Sequence, residues 1–108
     1  MKRYLLIESR GVFEAADTAN YTALAAGLAR EGAKVEIMLV QNGVIPARKG
    51  AKAESLTAAI QAGIPVWADE FAMKERALVP KDLVAGVKQA AIGTVVDRMA
   101  DGWNVIWH

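Results

Sequence analysis

Short apolar runs alternate with stretches of helical period along the whole chain, and this alternation is the strongest constraint on its fold. Residues 4–7 read Tyr-Leu-Leu-Ile, residues 35–40 Val-Glu-Ile-Met-Leu-Val, residues 64–67 Ile-Pro-Val-Trp and residues 103–107 Trp-Asn-Val-Ile-Trp. Runs of this length, almost continuously apolar, are typical of strands buried on both faces. Between the first two, Tyr21, Leu24, Ala25 and Leu28 recur at helical spacing, with Asp17 or Thr18 as N-cap and Gly32 as the stop. A second helix is predicted over residues 52–62, with Ala53, Leu56 and Ile60 inward and Gly63 at its end. Asp69 is placed to cap a short helix after the third strand, and Glu70 suits its first turn by charge. Pro80 breaks the pattern, and residues 83–87 form a candidate fourth strand. A last helix is predicted over residues 89–100, with Ile92, Val95, Val96 and Met99 as its apolar stripe.

Strands alternating with helices predict an α/β three-layer sandwich with a mostly parallel sheet of four or five strands and right-handed crossovers. The chain of 108 residues is one domain in size, and its connections are short, so residues 1–108 are read as a single domain. No run of some 20 apolar residues is present, and the apolar part of the N-terminal segment stops at Glu8, too soon for an export signal or a membrane span. A cytoplasmic protein without a membrane partner is the expectation. Thirteen basic and 12 acidic residues nearly cancel. Arg48, Lys49 and Lys52 make the densest basic group and read as a solvated loop, so no nucleic-acid partner is expected.

The chain contains no cysteine, which excludes disulfides, thiolate metal sites and cysteine nucleophiles. Its single histidine, His108, is the final residue and is expected to fray, so a histidine-rich metal site is excluded and no metal is expected. There is no Gly-x-Gly-x-x-Gly or Walker loop, and neither Ser9 nor Ser55 sits in a nucleophile elbow. No cofactor and no catalytic residue follow from these motifs.

Ligands of open parallel sheets bind beyond the carboxyl ends of the strands. That rule selects Glu8, Asn42, Asp69 and Arg76 as the candidate ligand pocket. Glu8 and Asp69 could divide acid and base roles, or one could cap a helix while the other is solvated. The Asn42-Gly43 pair is read as a turn in which both residues tolerate positive φ, followed by a segment through Ile45-Pro46 that is not helical at first. Trp103 and Trp107 have the same parity in a strand and are expected on one sheet face, either under a helix or at a subunit contact. Ile45, Phe71, Met73 and Trp107 are the candidate interface residues, and an apolar rim on a small core points to a homo-oligomer.

Three stretches together resemble the DsrE/DsrF-like family of sulfur-relay subunits and their relatives. They are the strand at residues 35–44 running into Gln-Asn-Gly-Val, residues 63–78 with a short helix and Arg76, and the C-terminal unit from residue 83 to Trp107. The resemblance implies a small parallel α/β sandwich, assembly as trimers or hexamers, and a link to sulfur metabolism. Sulfur-carrying members hold a persulfide on a cysteine after the third strand. Asp69 and Ala72 stand at the positions where such relatives have thiols, with Arg76 retained. The resemblance therefore implies a branch that does not act as a sulfurtransferase. It would be an oligomeric non-catalytic binding or accessory subunit, with a cysteine-bearing homologue as a candidate partner. The alternative is a small-molecule-binding enzyme or sensor using the polar residues at the sheet edge.

Overall fold

A computed structural model describes residues 2–11, 15 and 17–108. The elements are β1 (Arg3–Glu8), α1 (Thr18–Arg30), β2 (Lys34–Leu39), a 3-10 helix (Gln41–Ala47), α2 (Glu54–Gln61), β3 (Val66–Asp69), α3 (Glu70–Glu75), a 3-10 turn (Pro80–Asp82), β4 (Val87–Ala90), α4 (Gly93–Ala100) and β5 (Asn104–Trp107). They build one five-stranded sheet in the order β4-β3-β2-β1-β5. All its pairings are parallel, with Tyr4 opposite Val35 on one side of β1 and opposite Asn104 on the other. The expected α/β sandwich is thus present. The loop expected over residues 10–15 lies partly outside the described residues.

The chain steps outward from β1 to β4 and then returns to place β5 on the other side of β1. Right-handed crossovers running in opposite directions put their helices on opposite faces. Accordingly, α1 and α2 cover one face through Leu6, Ala25, Ile37, Leu56, Ala59 and Val66. The second face, with Leu5, Ile7, Met38 and Val40, is covered by Val95 of α4 and by Trp103.

Several predicted features shift. The fourth strand runs over Val87–Ala90, four residues beyond its expected start, and Leu83 instead forms an isolated antiparallel bridge with Arg48. Gln89 and Ala90 therefore belong to the sheet, and α4 begins only at Gly93. Lys52 has φ +56°, so α2 starts after it, at Glu54. Leu24 is exposed on the outside of α1. The segment through Ile45-Pro46 is a 3-10 helix rather than extended chain. Within it, positive φ falls on Gln41 (+50°), and Gly43 serves a different purpose. A Cβ on Gly43 would stand 2.1 Å from the Glu8 carbonyl oxygen, so only glycine lets this helix close over the end of β1.

The seating of α4 departs most from expectation. Of its predicted stripe only Val95 is buried, while Ile92, Val96 and Met99 are 51%, 63% and 59% exposed. A polar network sets this rotation. Arg98 Nε donates to Glu36 Oε1 at 3.1 Å, and Trp67 Nε1 donates to the same oxygen at 3.0 Å. Glu36 is buried in the middle of β2, so its carboxyl group needs those donors. Arg98 also lies over the Trp103 ring, 5.2 Å from its centroid, where Arg3 and Lys34 stack too. The helix turns Arg98 and Val95 to the sheet, and the apolar stripe is left outside. Trp103 precedes the last strand and is buried, whereas Trp107 is 60% exposed, so strand parity does not relate the two.

Two stability outcomes follow. Arg98→Met leaves the buried Glu36 carboxyl group short of a charged partner and lowers unfolding free energy by about 3 kcal/mol; the double variant with Glu36→Gln recovers part of it, both read from urea unfolding. Gly43→Ala forces the 3-10 helix off β1 and costs about 3 kcal/mol or more by the same measurement.

Candidate functional site

At the carboxyl edge of the sheet, β1 runs on toward α1 while β5 ends in His108, and the space beyond such strand ends is where open α/β sheets usually offer a crevice. Here that crevice is filled by His108. Its backbone continues the β1–β5 ladder, with its N–H donating to Ile7 O at 2.8 Å and its carbonyl accepting from Ser9 N at 3.1 Å. Ser9 Oγ donates to the same carbonyl at 2.7 Å. The imidazole stacks on Tyr21 at 4.7 Å between centroids. Nδ1 is 2.8 Å from Glu8 Oε2, and Nε2 is 2.9 Å from Asp17 Oδ2. His108 is therefore a docked residue, contrary to the expectation of a frayed end. The sequence signal that could have found it is the acid at each of two element ends, Glu8 and Asp17, but nothing in their spacing joins them to residue 108.

The electrostatics follow from this sandwich. Hydrogen bonds and charge from Asp17 and Glu8 raise the His108 pKa above its ordinary value. The same contact with His108 lowers the Asp17 carboxyl below its ordinary range. Burial and the nearby Glu8 charge push the Tyr21 hydroxyl upward, and this hydroxyl donates to the Ile106 carbonyl. Asp17 stands at the cap position of α1, yet its carboxylate makes no capping bond. It is hydrogen-bonded to His108 Nε2 instead. The two carboxylates sit on opposite ring nitrogens and do not converge. Among the described residues no group of three or more potential ligand side chains could hold a metal ion.

The four predicted pocket residues divide into separate arrangements. Glu8 is buried and belongs to the His108 cluster, where its Oε1 also accepts from Arg10 N. Asn42 and Arg76 meet directly: Arg76 Nε and Nη2 donate to Asn42 Oδ1 at 3.1 and 2.7 Å. Arg76 Nη1 donates to Ala72 O, which ties its guanidinium to α3. Asp69 caps α3 as expected, Oδ2 accepting from Ala72 N at 3.1 Å. Its Oδ1 is buried without a partner, an arrangement that costs about 1–3 kcal/mol. No hollow described at the edge is lined by all four residues.

Asp69 instead borders a depression of about 240 Å³ lined also by Val40, Gln41, Phe71, Ala72, Glu75, Ile92 and Trp107. Phe71 and Trp107, both proposed at the interface, are 65% and 60% exposed here. Ile45 is half-buried. Met73 must be withdrawn from the interface set, because it is fully buried in the core under α1 and α2. Its place two residues after Phe71 on a short helix does not reveal which side faces the core.

The fold and edge define an all-parallel α/β sandwich whose polar edge residues mostly hold structure together. The chain belongs to the DsrE/DsrF-like family, whose pattern matches residues 2–108. Solved structures of the same fold include a protein of unknown function, MTH1491, from Methanobacterium thermoautotrophicum, at 17% identity and TM-score 0.78 with each chain fully covered. The ychN protein of E. coli is 14% identical with TM-score 0.88, again over both full chains. BT1422 from Bacteroides thetaiotaomicron, also of unknown function, is 17% identical with TM-score 0.65, covering 97% of this chain and 94% of its own. No curated protein matches the chain. Having no cysteine, this family member cannot carry a persulfide on its own side chains. Among the described residues no helix is long and apolar enough to cross a membrane.

The His108 cluster makes stability depend on pH in both directions. Its folded pKa is raised, so its contribution is complete below 6.5 and is lost as pH rises through the higher folded value. Asp17 has a depressed folded pKa, so its share of the same contact is present above 3.8 and is lost as pH falls through the lower folded value. Urea midpoints measured across this range should form a plateau with two shoulders, and His108→Gln should flatten the upper one.

Proposed function

We propose that this chain is a non-catalytic binding or accessory subunit that works as a homo-oligomer. The observation that carries this reading is the exposed apolar surface on the α4 side of the sheet. Ile92, Val96 and Met99 form one stripe of α4, and Ile92 joins Phe71 and Trp107 around a common depression. Contiguous apolar surface of this kind marks interaction sites in proteins that are otherwise polar outside. Aromatic and methionine side chains are also enriched at the centre of such contacts. A second copy presenting the same stripe is the simplest partner, since one surface then satisfies both chains. Trimers and hexamers are the assemblies to which family membership points.

A role beside a cysteine-bearing homologue in sulfur metabolism fits the family and the missing thiols. In such a pair the homologue would hold the sulfur, and this chain would supply surface and stability. The competing reading, an enzyme or sensor built on Glu8, Asn42, Asp69 and Arg76 together, draws little support from their geometry. Glu8 is held by His108, and Arg76 is held by Asn42.

Light scattering at micromolar concentration tests the assembly. The unmodified protein should give the mass of a multimer. Met99→Glu and Val96→Glu should lower the mass toward that of one chain while keeping the circular dichroism of the folded state, because both side chains are exposed. A single-chain mass for the unmodified protein would overturn the proposal.

A further inference from the structure

The depression beside Asp69 has a chemistry that the oligomer does not explain. Its charged lining residues are both acidic, Asp69 and Glu75, and its aromatic residues Phe71 and Trp107 are largely exposed. Val40, Ala72 and Ile92 supply apolar wall, and Gln41 supplies one amide. Arg76 is not part of this lining. Its guanidinium is committed to Asn42 and the Ala72 carbonyl, and it approaches Glu75 only at 3.8 Å. Asp69 is 93% buried (7% exposed), and its Oδ1 accepts no hydrogen bond while Oδ2 caps α3. A buried carboxyl oxygen without a donor is uncommon in folded proteins and calls for an explanation such as an absent ligand.

Acidic groups among exposed aromatic rings suit an organic cation. The ring faces attract positive charge, the aliphatic wall takes a short hydrocarbon chain, and a free carboxyl oxygen accepts an N–H. A phosphate or carboxylate ligand would be repelled by Asp69 and Glu75, with the Gln41 amide as the one side-chain donor in the lining. An unsubstituted hydrocarbon would leave Asp69 Oδ1 without a donor. From this combination we infer that the depression is a binding site for a primary alkylammonium group, with Asp69 Oδ1 as its hydrogen-bond acceptor and Phe71 and Trp107 as its aromatic walls. Oδ1 is closed to solvent, so a ligand reaches it only when side chains at the pocket wall move.

The depression shares Ile92, Phe71 and Trp107 with the surface proposed for assembly, so the test reads ligand binding directly and separately from the light-scattering mass. The full-length protein is titrated with n-butylammonium chloride and followed by amide and indole NMR signals. Saturable shifts are expected at the Ala72 amide, which is bonded to Asp69, and at the Trp107 indole N–H. Butyrate, of the same size and opposite charge, should produce none. Asp69→Asn is the informative variant, because asparagine caps a helix as well as aspartate does. It should retain the unfolding midpoint and weaken n-butylammonium binding by about tenfold or more. Phe71→Ala, at an exposed position, should also weaken binding without affecting folding. Nα-acetyl-lysine amide, titrated in parallel, reports whether the ammonium comes from a protein side chain: tighter binding than n-butylammonium supports the site with a lysine as its source, and weaker binding supports it with a free amine. Absence of saturable shifts with n-butylammonium, equal shifts with butyrate, or unchanged affinity in Asp69→Asn would each overturn the inference.

Discussion

A parallel sheet must be covered on both faces, because its strands carry apolar side chains on each and its crossovers leave helices there. In this protein the cover is unequal. The face under α1 and α2 meets helices of 13 and eight residues. The other meets the eight residues of α4. Five strands spaced by about 4.8 Å span roughly 19 Å, and one helix about 10 Å wide covers close to half of that. The exposed rings of Phe71 and Trp107 and the outward stripe of α4 are consequences of this shortfall. An isolated domain of this size has little core to spare, and the second copy proposed above would cover the open face.

Glu36 governs how the partial cover is arranged. A carboxylate in the middle of a buried strand has to be met by donors, and Arg98 is the donor that α4 can bring. Satisfying it turns the more apolar side of the helix toward solvent. The choice would be costly in a protein that stayed alone. In a protein that meets a copy of itself, the same rotation both neutralises a buried charge and presents Ile92, Val96 and Met99 for contact.

The carboxyl edge of the sheet divides structural work from chemistry in a similar way. The crevice between β1 and β5 is closed by His108 between two carboxylates, and the Asn42–Arg76 bond fastens α3 to the 3-10 helix. Among the described residues, the buried side-chain oxygens left without a partner are Asp69 Oδ1 and Thr18 Oγ1, and of these only Asp69 belongs to a carboxyl group. A carboxyl group there cannot carry sulfur, and it offers a short-range acceptor for hydrogen-bond donors. Likeness of fold at 14–17% identity does not choose a ligand for such a pocket.

Much of the architecture was legible in the sequence, since continuous apolar runs and helical periods are local properties of the chain. β1, β2, β3 and β5, the cap at Asp69 and the absence of thiol chemistry follow from residues close to one another in sequence. So does the presence of apolar residues on α4, but not the direction they face. That direction depends on Glu36, 62 residues from Arg98, and on Trp103 sitting just outside a strand instead of within it. Likewise, Met73 reads as a rim residue and is buried, because the turn of α3 is set by the cap and by its contact with the core. Glu8 and Asp69 read as neighbouring strand ends, yet β2 lies between β1 and β3 in the sheet, so the two carboxyl groups serve separate clusters. Local pattern along the chain was enough for the layers, most strand ends and the chemistry that is missing. Which face stays open, which polar groups pair and which carboxyl oxygen lacks a donor emerge on folding, because those outcomes arise from contacts between residues far apart along the chain.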